Sequence, residues 1–111
     1  MKLKFIYVCS PFRGKTPDER QHNIQMTERY CAEIIKENAI PVAPHLYFPH
    51  FLDDNNSRER AIGLTIGKIL LNHCDELRVY GSEITEGMEA EIAFAKIQDI
   101  EINLTHYSGQ D

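Results

Sequence analysis

The sequence predicts an α/β domain: a flavodoxin- or Rossmann-like three-layer sandwich built on a four-stranded parallel sheet in the order 2-1-3-4. Three observations predict it. Short apolar, β-branched runs alternate with longer stretches of helical periodicity, giving β-α-β-α-β-α-β. Such alternation implies right-handed crossovers, and therefore parallel strands covered by helices on both faces. Pro41 opens the second run, and a strand lacking that donor belongs on an edge, where this order puts it.

Each element follows from local chemistry. Leu3 to Cys9 is apolar, aromatic and β-branched, bounded by Ser10-Pro11, which suits a buried strand. A polar loop runs from Ser10 to Arg20. From about Gln21 to Asn38, the apolar Ile24, Tyr30, Cys31, Ile34 and Ile35 recur at helical spacing, and Asn38-Ala39 marks the end. Ile40 to Ala43 is the second strand. Pro44 to Asn56, with two prolines, three aromatics and two histidines, reads as a long loop. Ser57 is the expected cap of a helix reaching Leu71, followed by a third strand, Leu77 to Tyr80. The next helix extends to about Gln98, and Ile100 to Leu104 is the fourth strand. Residues 1–105 form one domain, and the tail from His106 to Asp111 is expected to fray.

Composition narrows the function classes. A net charge of -5 with twelve scattered basic residues argues against a nucleic-acid polymer as partner, while a free nucleotide remains compatible. No apolar run approaches the roughly 18 residues of a membrane span, so no membrane partner is expected and the cytoplasm is the expected compartment. Cys9, Cys31 and Cys74 are odd in number and lack C-x-x-C spacing, which suggests reduced thiols rather than disulfides or zinc. Cys9 is the one thiol placed at a strand end. No metal and no cofactor is expected; His45, His50, Asp53 and Asp54 match no metal-ligand pattern and read as polar residues of an aromatic-rich loop.

In this topology the switch point lies between strands 1 and 3, so a ligand should bind at their carboxyl ends. Three loops converge there: Ser10 to Gly14, Pro44 to His50, and Gly81 to Gly87. Arg13 and Gly14 suggest anion capture, and Tyr47, Phe48 and Phe51 suit stacking on a base or sugar. The most informative residue is Glu91. On a helix it shares a face with Met88, Ile92 and Ala95, whereas Glu86 and Glu89 fall in the first turn, where negative charge favours the exposed amides. A carboxylate in an apolar stripe is either held by a neighbouring loop or retained for its chemistry. Thr85 is the N-cap candidate, although Met88 stands where a capping box would have Glu. Its hydroxyl and the free amides of the first turn could also hold a phosphate. Tyr7, on the neighbouring strand, is within plausible reach of Glu91.

Tyr7, Ser10-Pro11-Phe12-Arg13-Gly14, Asn23, Asp75 and the run Thr85-Glu86-Gly87-Met88-Glu89-Ala90-Glu91-Ile92 together resemble the nucleoside 2-deoxyribosyltransferase-like superfamily, in its small phage and bacterial branch. The resemblance spans roughly residues 4 to 104. It implies that Glu91 is the nucleophile, that Tyr7 holds its carboxylate, that Ser10, Pro11, Phe12, Arg13 and Gly14 form the first substrate loop, and that Thr85, Glu86, Gly87 and Met88 meet the sugar or its 5'-phosphate. The implied reaction cleaves or transfers the N-glycosidic bond of a (deoxy)nucleoside or nucleoside 5'-monophosphate through a glycosyl-enzyme ester. Asp75, His45 and His50 are the available proton donors for the leaving base. Where the transferases carry a base-binding aspartate, this chain has Gly67 and Lys68. The alternative is a non-catalytic module on the same scaffold that binds a nucleotide or sugar phosphate. Aromatic, proline-rich loops on a short sheet also lead us to expect a homo-oligomer.

Overall fold

A computed structural model describes residues 2–109 and places three α-helices around one sheet. The strands are β1 (Phe5–Cys9), β2 (Ile40–Val42), β3 (Glu76–Val79) and β4 (Glu101–Asn103), all parallel, in the order β2-β1-β3-β4. Tyr7 lies opposite Val42 on one side and Leu77 on the other, so β1 and β3 form the buried centre of the sheet. Pro41 is on the β2 edge, where its missing N–H disrupts no interior ladder.

The two faces of the sheet build two cores. Ile6 and Val8 point toward α1 (Pro17–Lys36), packing with Ile34 and, beyond the strand, with Ala43 and Tyr80. Tyr7, Cys9, Leu77 and Val79 point the other way, against Leu71 of α2 (Ser57–Asn72) and Met88 and Ala95 of α3 (Glu86–Ile97). The period of two along β1 therefore decides which layer each side chain joins. Ile34 is fully buried whereas its neighbour Ile35 is exposed, since adjacent helical positions lie about 100° apart.

Several boundaries differ from the sequence expectation. α1 begins four residues earlier than the apolar period suggests: Thr16 caps it by accepting from the amide of Glu19 at 3.1 Å, and Pro17 occupies the first helical position. Its polar first turn carries no apolar repeat, which hid it. At α2 the cap is Asn56, not Ser57, because the Asn56 carboxamide oxygen accepts from both Arg58 and Glu59 amides, at 3.0 and 3.1 Å. The segment 44–56 is partly regular, with 3₁₀ turns at Pro44–Leu46 and Phe48–His50. The tail is anchored as far as it is described: Tyr107 bridges to Gly81, and the Ser108 amide donates to the Gly81 carbonyl at 2.8 Å. Residues 110 and 111 of the expected tail lie outside the described residues. Among those described, all three cysteines are free and no helix is long and apolar enough to cross a membrane.

Candidate functional site

The carboxyl ends of β1 and β3 open into a cleft of about 720 Å³, walled by the loop after β1, the 3₁₀ segment, one side of α2 and the first turns of α3. Tyr7, Ser10, Pro11, Phe12, Arg13, Gly14, Thr85, Glu86, Gly87, Met88 and Glu91 all line it. Strand, loop and helix thus bring Tyr7, Glu91 and the two expected substrate-binding segments, 10–14 and 85–88, to one cleft.

At its base, the Tyr7 hydroxyl donates to Glu91 Oε2 at 2.6 Å, linking positions 84 residues apart. Burial pushes the Glu91 carboxyl up to about 7, against the opposing pull of the hydrogen bonds from Tyr7 and, next, Cys9. No cation neutralises it: among the described residues Glu91 takes part in no ion pair. Burial, with the Glu91 charge beside it, raises the Tyr7 phenol, which therefore remains a donor. One carboxylate oxygen is engaged, and Oε1 has no protein partner among the described residues. Cys9 is buried, its thiol pushed upward first by that burial and then by Glu91, which rules it out as a thiolate nucleophile near neutral pH.

The N-terminus of α3 is capped more completely than its sequence suggests. Thr85 Oγ1 accepts from the Met88 amide at 3.3 Å, and the Met88 sulfur accepts from the Thr85 amide at 3.5 Å. Sulfur stands in for the carboxylate of a capping box, which corrects the expectation that Met88 breaks the motif. Met88 is itself 2 % exposed and belongs to the core as well as to the cleft floor. The amides of Glu86 and Gly87, unpaired in any helix start, border the cleft, and a Cβ at Gly87 would meet nothing within 4 Å.

The first loop is held from several sides. Asn23 of α1 donates to the Phe12 carbonyl at 3.2 Å, and the Arg20 guanidinium sits 5.0 Å from the Phe12 ring centre. Gly14 has a left-handed φ of 66°, and a Cβ there would fall 2.7 Å from Glu19 Cβ. That conformation and that contact require glycine at the turn into α1. Arg13 pairs with Asp54 at 3.1 Å, joining the first loop to the segment before α2. An incoming anion would have to compete with Asp54 for that guanidinium.

Of Tyr47, Phe48 and Phe51, Phe48 lines the cleft, whereas Tyr47 and Phe51 are exposed and outside it. His45 does line it, packed edge-on against Phe12, with Nε2 3.1 Å from Ser10 Oγ, which in turn lies 2.9 Å from Thr27 Oγ1. Burial lowers His45 to about 4, so it is neutral at physiological pH. The other two donors considered for the leaving group lie elsewhere. Asp75 accepts from the Phe5 amide at the opposite end of the strands, and exposed His50 is outside the cleft. No cluster able to hold a metal occurs among the described residues.

A family model described as a domain of unknown function (DUF7768) matches residues 4–105. The chain belongs to this family. The match spans the whole sheet and every residue of the cleft, so the Tyr7–Glu91 pair lies within the family's own domain. A search among curated proteins finds no match.

Sequence reasoning gave α2 little part in the site beyond Gly67 and Lys68, yet Arg60, Gly63, Leu64 and Leu71 line the cleft with them. A Cβ at Gly67 would stand 3.7 Å from the Tyr7 hydroxyl, and one at Gly63 3.3 Å from Leu52. Two glycines four apart inside a helix, each costing about 1 kcal/mol relative to Ala, were the signal that something approaches closely there.

Proposed function

We propose that this protein cleaves or transfers the N-glycosidic bond of a (deoxy)nucleoside or its 5'-monophosphate, with Glu91 as the nucleophile. One observation carries the reading: an acid with no cationic partner, hydrogen-bonded to Tyr7 at 2.6 Å, at the base of a cleft at the switch point of the sheet. The resemblance to nucleoside 2-deoxyribosyltransferases supports it, since Glu91 and Tyr7 stand where those enzymes have their nucleophile and its tyrosine.

In this mechanism Tyr7 orients the carboxylate so that Oε1 meets the anomeric carbon. The C–N bond breaks as the C–O ester bond forms, the departing base taking the bonding electrons and a proton. Water or a second base then attacks the same carbon and releases Glu91. In this second half Glu91 departs as its carboxylate, and an attacking water gives up its proton to solvent. His45, neutral and inside the cleft, is the remaining histidine able to donate a hydrogen bond toward a leaving base. A 5'-phosphate would meet the amides of Glu86 and Gly87 and the Thr85 hydroxyl. The reactants are free small molecules, in keeping with an acidic chain and a cytoplasmic setting.

The test is incubation with a panel of deoxynucleosides and their 5'-monophosphates, scanning for free base. Wild type should release base from at least one member, and Glu91→Ala from none, while circular dichroism shows both folded. Intact-mass detection of a deoxyribosyl adduct, absent in Glu91→Ala, would identify the ester. If a ligand binds without turnover and equally well to Glu91→Ala, the non-catalytic module replaces the enzyme reading.

A further inference from the structure

Side chains from three separate elements form a hydrogen-bonded row at the wall of the cleft. Thr27 Oγ1 of α1 lies 2.9 Å from Ser10 Oγ, just after β1, and Ser10 Oγ lies 3.1 Å from His45 Nε2 in the first 3₁₀ turn. Thr27 is fully buried, and Ser10 is 7 % exposed. The direction of each bond follows from where the protons can go. Among the described residues the Thr27 hydroxyl has Ser10 Oγ as its only partner. Unlike Thr65, which donates to the Ala61 carbonyl, it makes no bond to the preceding turn of its own helix. If this buried hydroxyl only accepted, its proton would be left without an acceptor and out of reach of water. Thr27 therefore donates to Ser10. The Ser10 proton then goes to its other partner, His45 Nε2, which must be the bare nitrogen of the ring. In a neutral imidazole the proton accordingly sits on Nδ1.

That Nδ1–H has no protein partner among the described residues, yet it is not enclosed: the Tyr80 hydroxyl is the one fully buried side-chain polar atom among them that lacks a partner. The His45 ring lines the cleft, steadied by the edge of Phe12. We infer that Thr27 and Ser10 are positioning residues, which hold His45 in its Nδ1–H tautomer so that a neutral imidazole offers a hydrogen bond to the leaving base. The leaving-base role rests on the glycosidic reading; the tautomer does not.

The chemistry follows from the polarity of the row. As the C–N bond breaks and its electron pair moves onto the base, Nδ1–H hydrogen-bonds to a ring nitrogen or carbonyl oxygen where the negative charge gathers. His45 keeps its proton, and the base takes one from water. An imidazolium would reverse the row, since Nε2–H would have to donate to Ser10 and Ser10 to Thr27, stranding the Thr27 proton. On this assignment Ser10 acts through His45, in place of the direct substrate contact expected of the first loop.

Long-range proton–nitrogen correlation NMR of the nitrogen-labelled chain reads the tautomer without any substrate. Wild-type His45 should show a protonated Nδ1 and a bare Nε2 near neutral pH. Ser10→Ala should lose that preference and populate both tautomers, Thr27→Val should shift part of the population, and Thr27→Ser should restore it. If Ser10→Ala, which orphans the Thr27 hydroxyl, does not fold, Ser10→Ala combined with Thr27→Val removes both hydroxyls and makes the same test. The second arm is turnover of a deoxynucleoside from which wild type releases base. There His45→Phe should lower kcat by roughly 10²-fold, and Ser10→Ala by part of that with KM little changed. A wild-type His45 protonated on Nε2, a tautomer unmoved in Ser10→Ala, or a Ser10→Ala enzyme with wild-type kcat overturns the inference. A wild type that holds the Nδ1–H tautomer but releases no base overturns the glycosidic reading, and the leaving-base role with it, while the tautomer assignment stands.

Discussion

Two glutamates, one buried and one half-buried at opposite ends of the central strands, show how surroundings divide chemistry from architecture. Glu76 opens β3 and is 1 % exposed, yet it accepts from Arg78 Nε at 2.7 Å, Lys4 Nζ at 2.8 Å and Asn103 Nδ2 at 3.0 Å. Burial alone would raise its carboxyl, but these three donors outweigh it and hold the group at about 2. Glu91, across the sheet, has a phenol and a thiol for company and is pushed up to about 7. From an ordinary value of 4.5 the two move by similar amounts in opposite directions, each equivalent to about 3 kcal/mol. A carboxylate surrounded by cations stabilises the fold; one denied them is a cost the fold carries for the sake of its cleft.

The sign of each effect follows from linkage. Glu76, with its folded pKa depressed, stabilises the protein above about pH 4.5, and this stability is lost as pH falls toward 2. Glu91, with its folded pKa raised, is neutral in effect below about 4.5 and destabilises as pH rises through 7, because the unfolded chain gives up the proton more readily.

The strongest way to break the contrast is Glu76→Gln. It leaves Arg78 buried with only the half-exposed Glu37 as an ionic partner, at 2.9 Å, and should cost about 3–5 kcal/mol near pH 7 by urea titration. A loss under about 1 kcal/mol would mean the cluster is merely solvated. Next, Glu91→Gln should stabilise the protein by up to about 3 kcal/mol at pH 8 and leave it nearly unchanged at pH 4, read as paired thermal melts. A destabilised Glu91→Gln at pH 8 would show that the ionised carboxylate is structural after all. Tyr7→Phe sharpens the comparison by removing a hydrogen bond that favours the ionised acid: the Glu91 titration, followed by carboxyl NMR, should move upward and the acidic limb of any turnover with it, with a stability change of about 1 kcal/mol. Smallest of all, Glu89→Ala on the exposed side of α3 should alter stability by no more than about 0.5 kcal/mol and leave catalysis unchanged.

Glu91 was legible because helical spacing places it among Met88, Ile92 and Ala95, and Tyr7 because strand order makes β1 the neighbour of β3. Glu76 was not legible. Arg78 shares its strand face at i+2, but Lys4 and Asn103 reach it from β1's flank and from β4, and no local pattern links those two to it. His45 looked like one polar residue of a loop, and the Ser10 contact that places it appears only once the 3₁₀ turn folds over the first loop. The anion-binding expectation for Arg13 was reasonable from its loop, but Asp54, 41 residues away, claims the same guanidinium.

Alternation of apolar runs and helical repeats was enough to specify the strand order, the edge position of Pro41 and the end of the sheet at which the cleft opens, because these depend on periodicity, handedness and the donor missing from proline. Helix starts were less secure, since Thr16, Asn56 and Met88 cap through side-chain geometry that several neighbouring residues could have supplied. What folding alone settled was the electrostatic character of each acid. The pKa of a carboxylate depends on what lies within a few ångströms in space, and apart from Arg78, two residues along β3 from Glu76, those neighbours come from strands distant in the chain.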